Sequence, residues 1–230
     1  MQIHRVKSRG ANSYIIDEDG RLMVIDVAFM ADKKVMAYVT DTLQRNLQDV
    51  DLVVCTHGHT DHMGGLRKAA LQCQAKIAIP PSTSLWREKL NPLVSLASLA
   101  SWLDRQASGF ISRKTANSRP EAHMTDPSVI RLQPTGSLPG FDNWMTIHTP
   151  GHTEDSCCYF HLPSRSLITG DTLLASGRSN TLVLPSIYNN RSKLLQSIAG
   201  LRNLNPASIY PGHGSVLSGS DLLADVAGIS

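Results

Sequence analysis

The chain is expected to be an α/β protein in which two sheets pack together with helices outside. Three observations predict this. Apolar or alternating runs of strand length recur along most of the chain. Runs with apolar residues at helical spacing lie between them. The strand-then-helix order repeats in two successive halves, the pattern of layered α/β folds.

The first half opens with short strands at residues 3–6, 13–16 and 22–27, the last two joined as a hairpin by Asp17-Glu18-Asp19-Gly20. Within 31–46, Val35, Met36, Val39 and Leu43, continued by Leu47, recur at helical spacing and predict an amphipathic helix. A strand at 51–55 follows. Gly64 and Gly65 then interrupt the start of a second helix, read over 66–71, and a strand at 76–79 is stopped by Pro80-Pro81. In the second half, strands are expected at 129–132, 145–148, 157–161 and 166–169, a helix at 191–204 and a last strand at 208–210.

Residues 82–128 break this rhythm. Leu85, Trp86, Leu90, Leu93, Leu96, Leu99, Trp102 and Leu103 suggest one or two helices broken near Pro92, followed by a polar stretch. There are too few apolar residues for a separate core. The segment is therefore read as a helical insertion within one domain spanning 1–230. It serves either as an apolar lid over a site or as a helix packed on a sheet face.

Composition narrows the class. Charged residues make up 18% of the chain, below the ~25% usual for soluble domains. The net charge of +3 comes without a Lys/Arg block, so no nucleic-acid partner is expected. Cys55, Cys73, Cys157 and Cys158 form no CxxC pair and suggest neither a disulfide framework nor a zinc knuckle. Cys157 and Cys158, adjacent in a strand, should point to opposite faces as small core residues. No secretory h-region or membrane-length apolar run is present, which makes a cytoplasmic location the expectation.

The most informative stretch is Thr56-His57-Gly58-His59-Thr60-Asp61-His62, directly after the apolar run Leu52-Val53-Val54-Cys55. Three imidazoles and a carboxylate at a strand end form a ligand set for zinc, iron or manganese. From the His and Asp frequencies, His-x-His-x-Asp-His arises by chance in about one such chain in a thousand. Three further motifs sit at strand-to-loop junctions and carry one candidate ligand each. They are Thr149-Pro150-Gly151-His152-Thr153, Thr169-Gly170-Asp171-Thr172 and Tyr210-Pro211-Gly212-His213-Gly214. A glycine before each ligand allows close backbone approach. His4, His123, His148 and His161 are left over, and His148 is read as structural.

In this order the motifs resemble the metallo-β-lactamase superfamily of metallohydrolases, from the first hairpin to His213. The resemblance implies a four-layer αβ/βα sandwich with metals at one edge between the sheets. It assigns His57, His59 and His152 to a first metal and Asp61, His62 and His213 to a second, with Asp171 bridging both. Each metal then has three private donors and a shared carboxylate, leaving room for a hydroxide that attacks a carbonyl. Zinc is favoured for both ions, with iron and manganese accepting the same donors. Asp61 doubles as proton acceptor.

Among the branches, the lactamases proper lack a bridging aspartate at the position of Asp171. Gly170-Asp171-Thr172-Leu173 is similar to glyoxalase II, a thioesterase, although little chain follows His213 to match that family's C-terminal region. Lactonases share the seven ligands. The expected function is hydrolysis of a thioester, ester or lactone in a small-molecule substrate, and a homodimer is compatible with it. One alternative is a mono-iron persulfide dioxygenase bound through His57, His152 and Asp171, suggested by Gly170-Asp171-Thr172-Leu173-Leu174 and Gly177-Arg178. Others are a phosphodiesterase or nuclease, and a metal-binding structural module.

Overall fold

The computed structural model describes residues 1–8, 10–83, 129–177 and 181–228. The first sheet holds β1 (Gln2–Lys7), β2 (Asn12–Glu18), β3 (Arg21–Ile25), β4 (Val50–Val54), β5 (Lys76–Ile79) and β6 (Val129–Arg131), in that spatial order. β1 to β3 are antiparallel, whereas β3 to β6 run parallel. Asp19 and Gly20, both at positive φ, form a two-residue hairpin turn between β2 and β3, as Asp-Gly favours. β4 is reached through α1 (Asp32–Ala37), and β5 through α2 (Thr60–Met63) with α3 (Leu66–Cys73).

The second sheet is built from β7 (Thr135–Leu138), β8 (Phe141–His148), β9 (Cys157–His161) and β10 (Ser166–Gly170). A small ribbon of β11 (Leu174–Ala175) and β12 (Leu182–Val183) precedes α4 (Arg191–Arg202). β13 (Ser208–Pro211) and β14 (Leu217–Ser218) complete the sheet, whose order is β14-β13-β10-β9-β8-β7.

Side-chain alternation sorts these strands into three apolar layers. Leu52 and Val54 of β4 join Tyr14, Ile25, Trp144, Tyr159 and Ile168 between the two sheets. Val53 and Cys55 point the other way, toward Val35, Val39, Leu66 and Ala69 of the first helical layer. Cys157 lies between the sheets, while Cys158 packs with Leu194, Ile198 and Leu201 of α4. The four-layer αβ/βα sandwich and the opposite facing of the two cysteines are as expected. Strands covered on both faces read as near-continuous apolar runs, which is why most were visible in the sequence.

Some elements differ. The helix expected over 31–46 ends as α1 at Ala37 and widens into a π-type turn over Tyr38–Thr42, where Leu43 N–H donates to Tyr38 O at 3.0 Å. Thr40 is β-branched, a poor helix former, and its hydroxyl donates to Asp41 Oδ1 at 2.7 Å. β7 was not foreseen, because an exposed edge strand reading Thr-Gly-Ser-Leu carries no apolar alternation. β8 begins earlier than expected because Phe141 and Trp144 belong to the inter-sheet core. Apart from residues 82 and 83, the expected helical insertion and its lid role lie outside the described residues, as does His123. Among the described residues, no helix is long and apolar enough to cross a membrane.

Candidate metal centre

All seven candidate residues arrive at one end of the sandwich, on loops that leave strands of both sheets. β4 delivers Thr56 and His57, and the connection onward carries His59, Asp61 and His62 into α2. The β8–β9 loop carries His152, Asp171 follows β10, and His213 follows β13. Two glycines permit this convergence. A side chain at Gly170 (φ +50) would come within 2.5 Å of Thr56 Oγ1. One at Gly212 would collide with Asp171 Oδ1 and the His62 ring.

The potential ligand atoms fall into groups within 4.8 Å of one another: His57, His59 and His152; Asp61, His62 and His213; and His57, His62 and Asp171. His59 Nδ1 lies 3.0 Å from His57 Nε2 and 3.1 Å from His152 Nε2. Nitrogens held about 2.0–2.1 Å from a tetrahedral metal stand about 3.3 Å apart, so this spacing is that of a ligand set. Tautomers support it. The Thr56 hydroxyl donates to Asp26 Oδ2 at 2.9 Å, so its oxygen is left to accept from His57 Nδ1 at 3.1 Å. His152 Nδ1 donates to Ile187 O at 2.7 Å. The Nε2 lone pairs of both rings are therefore turned inward, and at most one proton, on His59, can lie among three nitrogens.

Asp171 stands between the groups. Its Oδ1 is 3.3 Å from His62 Nε2 and 3.4 Å from His213 Nε2, while its Oδ2 is 3.7 Å from His152 Nε2. His213 Nε2 is also 3.6 Å from Asp61 Oδ2. His62 Nε2, His213 Nε2 and Asp171 Oδ1 are buried without a hydrogen-bond partner. Orphaned polar atoms facing one another are costly, and a cation shared between them removes that cost. The residues present fit a metal.

The electrostatics differ across Asp171. Burial, followed by the neighbouring imidazoles, holds His57 well below the ordinary imidazole value. Burial and His152 bring His59 down to about 4. His152 is also lowered by burial, against the attraction of Asp171. On the other side, burial would lower His62, but Asp171 and Asp26 outweigh it and raise His62 well above the usual range. Burial likewise opposes the charging of Asp61 and Asp171. His62 and His213 nonetheless hold Asp61 at about 2 and Asp171 well below its ordinary value.

Asp26 was missed by sequence reasoning. It directly follows β3 at φ +60, and its Oδ1 accepts Thr56 N–H at 2.7 Å. Its Oδ2 accepts from the Thr56 hydroxyl and lies 2.7 Å from His62 Nδ1. One carboxylate thus orients a ring in each group, His62 directly and His57 through Thr56. An acid directly after the apolar run Leu22-Met23-Val24-Ile25 was the available signal. The leftover histidines His148 and His161 stay outside the centre. His148 Nε2 donates to Glu154 O at 2.7 Å, as a structural residue does. His161 lies 2.9 Å from Glu18 Oε1.

The model of the metallo-beta-lactamase superfamily matches residues 7–213. The beta-lactamase-like protein 2 homolog of Drosophila melanogaster is 23% identical over 213 residues, covering 91% of this chain and 60% of its own length. The hydroxyacylglutathione hydrolase of Francisella tularensis subsp. novicida is 23% identical over 185 residues, covering 80% of this chain and 57% of that protein. This chain thus spans about three fifths of the length of these relatives. A metallo-beta-lactamase family protein from Thermus thermophilus superimposes with a TM-score of 0.62 at 20% identity, over 90% of this chain and 70% of that one.

Proposed function

This chain belongs to the metallo-beta-lactamase superfamily, and on that premise we propose that it is a metal-dependent hydrolase cleaving a thioester, ester or lactone in a small-molecule substrate. The observation that carries the proposal is the meeting of inward-turned imidazole lone pairs and orphaned buried atoms on both sides of the Asp171 carboxylate. In this reading His57, His59 and His152 hold one divalent ion, Asp61, His62 and His213 hold a second, and Asp171 is shared. Zinc suits the nitrogen-rich first group, and iron or manganese accept the same donors. When bound, the metals lower the pKa of water to give a nucleophile at neutral pH and polarise the scissile carbonyl.

The chain's own residues do the rest. Asp26 and Ile187 O fix three of the rings so that their free nitrogens face the centre, where they would hold a metal, the usual task of groups behind a ligand. Asp61, held ionised, accepts a hydrogen bond from the attacking water and aligns it. The hydroxyacylglutathione hydrolase among the relatives supports a thioester as the first substrate to try. A mono-iron oxygenase reading would use only His57, His152 and Asp171. It leaves the grouping of Asp61, His62 and His213 without a purpose.

The test is elemental analysis of the purified protein combined with a screen of thioesters, lactones and phosphodiesters under an oxygen electrode. Two metal equivalents with hydrolysis and no oxygen uptake are expected. A single iron with oxygen consumption would establish the oxygenase instead, and a metal-free protein after growth with ample zinc would sink both.

A further inference from the structure

Of the five candidate imidazoles, His57, His62 and His152 are anchored behind the ring, whereas among the described residues His59 meets only two other candidate rings and His213 only facing carboxylates. Apart from the facing carboxylates of Asp61 and Asp171, no described residue hydrogen-bonds its ring. Its position therefore depends on the edge-on contact with the His62 ring, 5.5 Å between centroids, and on the main chain of residues 211–214, where every carbonyl is engaged. Pro211 O accepts from the Tyr14 hydroxyl at 2.6 Å and from Asn12 Nδ2 at 2.9 Å. Gly212 O accepts from Asn12 N–H at 2.7 Å, and His213 O from Ala175 N–H at 3.1 Å. Gly214 O accepts from Asn12 Nδ2 at 3.0 Å and from Arg5 Nη1 at 2.9 Å. Asn12 thus serves three of the four carbonyls. Its side-chain amide orientation is unambiguous, because both carbonyls it meets are acceptors.

Asn12 opens β2 of the first sheet and is buried, whereas the turn it grips leaves β13 of the second sheet. A buried amide donating to two carbonyls about 200 residues away is more than any strand-starting residue needs for its own strand. We propose that Asn12 is a positioning residue for metal binding. It clasps the Pro211–Gly214 turn so that His213 stays in reach of Asp61, His62 and Asp171, completing the second ligand group. This inference rests on the two-metal reading above.

Substitution can loosen the clasp without breaking the fold. Replacing Asn12 by leucine removes its side-chain bonds to Pro211 O, Gly214 O and the Tyr14 hydroxyl but leaves no carbonyl orphaned. Pro211 O keeps Tyr14, Gly214 O keeps Arg5, and Gly212 O keeps the backbone N–H of residue 12. The fold is therefore expected to survive while the turn loosens.

The experiment is titration of metal-free wild-type protein and Asn12→Leu with Co²⁺. Binding is followed calorimetrically and by visible absorption, with thermal unfolding as a control. In the variant the first equivalent should bind with wild-type affinity and spectrum. The second should weaken at least about tenfold and change its absorption, with unfolding little moved. If both equivalents bind as in the wild type, Asn12 has no such role and the inference falls while the two-metal reading stands. A wild-type protein that takes a single equivalent would overturn the reading and the inference together. Should Asn12→Leu fail to fold, Tyr14→Phe removes one donor to Pro211 O and should weaken the second equivalent to a smaller degree. An unchanged second equivalent in Tyr14→Phe would then overturn the inference.

Discussion

The two ligand groups on either side of Asp171 are held by different means. In the first, His57 and His152 are buried and each ring is anchored at its far nitrogen, one through Thr56 and one on Ile187 O. The group is all imidazole, and burial keeps its members neutral with lone pairs free. In the second, only His62 is anchored at the ring, by Asp26. Asp61 and His213 keep 26% and 15% side-chain exposure, and His213 depends on a backbone clasp. This group mixes carboxylates with imidazoles, and its carboxylates raise His62. A site can thus be pre-organised by hydrogen bonds to its rings or by fixing the turn that carries them. The second way leaves more dependence on distant residues.

The two groups meet at the Asp171 carboxylate. Asp171→Ala should cost both groups at once, because one carboxylate oxygen faces each of them. Bound metal should fall toward zero by elemental analysis. Turnover should drop by roughly 10³-fold or more, the scale of losing a group that stabilises the transition state. Retention of one full equivalent would mean that Asp171 belongs to one side only.

Asp26→Asn comes next in size. It weakens the acceptor of the His62 ring and of the Thr56 hydroxyl that supports His57, so both groups should lose affinity. The expected loss is about 10–100-fold in metal dissociation constants, measured against a competing chelator. His62 is anchored directly and His57 only through Thr56, so the second group should lose more. The opposite order would contradict the arrangement described above.

Acidification should separate the groups without any mutation. Metal binding needs unprotonated imidazoles. The folded chain holds His59 at about 4 and His57 and His152 below their ordinary value, while it holds His62 well above it. As pH falls, protons should therefore displace metal from the second group first. Equilibrium dialysis across a pH range of about 4–8 should give two steps, with the second group emptying at the higher pH. In the metal-free chain the sign for folding is also set. His62 has a raised folded pKa, so its contribution is complete below about 6.5 and is lost as pH rises through the folded value.

The smallest effect on metal is expected at the other end of the sandwich. There Glu18 accepts from Trp144 Nε1 and Asn143 Nδ2, each at 3.1 Å, and pairs with His161, joining the two sheets. Glu18→Gln should lower stability by about 1–3 kcal/mol in denaturant unfolding. It should leave both metal equivalents unchanged. A loss of metal would show that the far end is coupled to the centre.

Sequence and structure divided the information by range. The apolar runs around Leu52, Tyr159 and Ile168 marked their strands because both faces of each sheet are covered, and no partner needs to be known to read that. The seven candidate ligands were equally legible, since metal donors come in few residue types and sit in short motifs after strands. Their shared location was not written in any one motif. It arises because β4, β10 and β13 end on the same side once the sheets stack. Asp26 and Asn12 were invisible for the same physical reason. Each is a single polar residue whose meaning lies in partners 30 to 202 positions away. Only the pairing of β3 with β4, and the meeting of β2 in one sheet with the turn after β13 in the other, makes one an orienting carboxylate and the other a clasp.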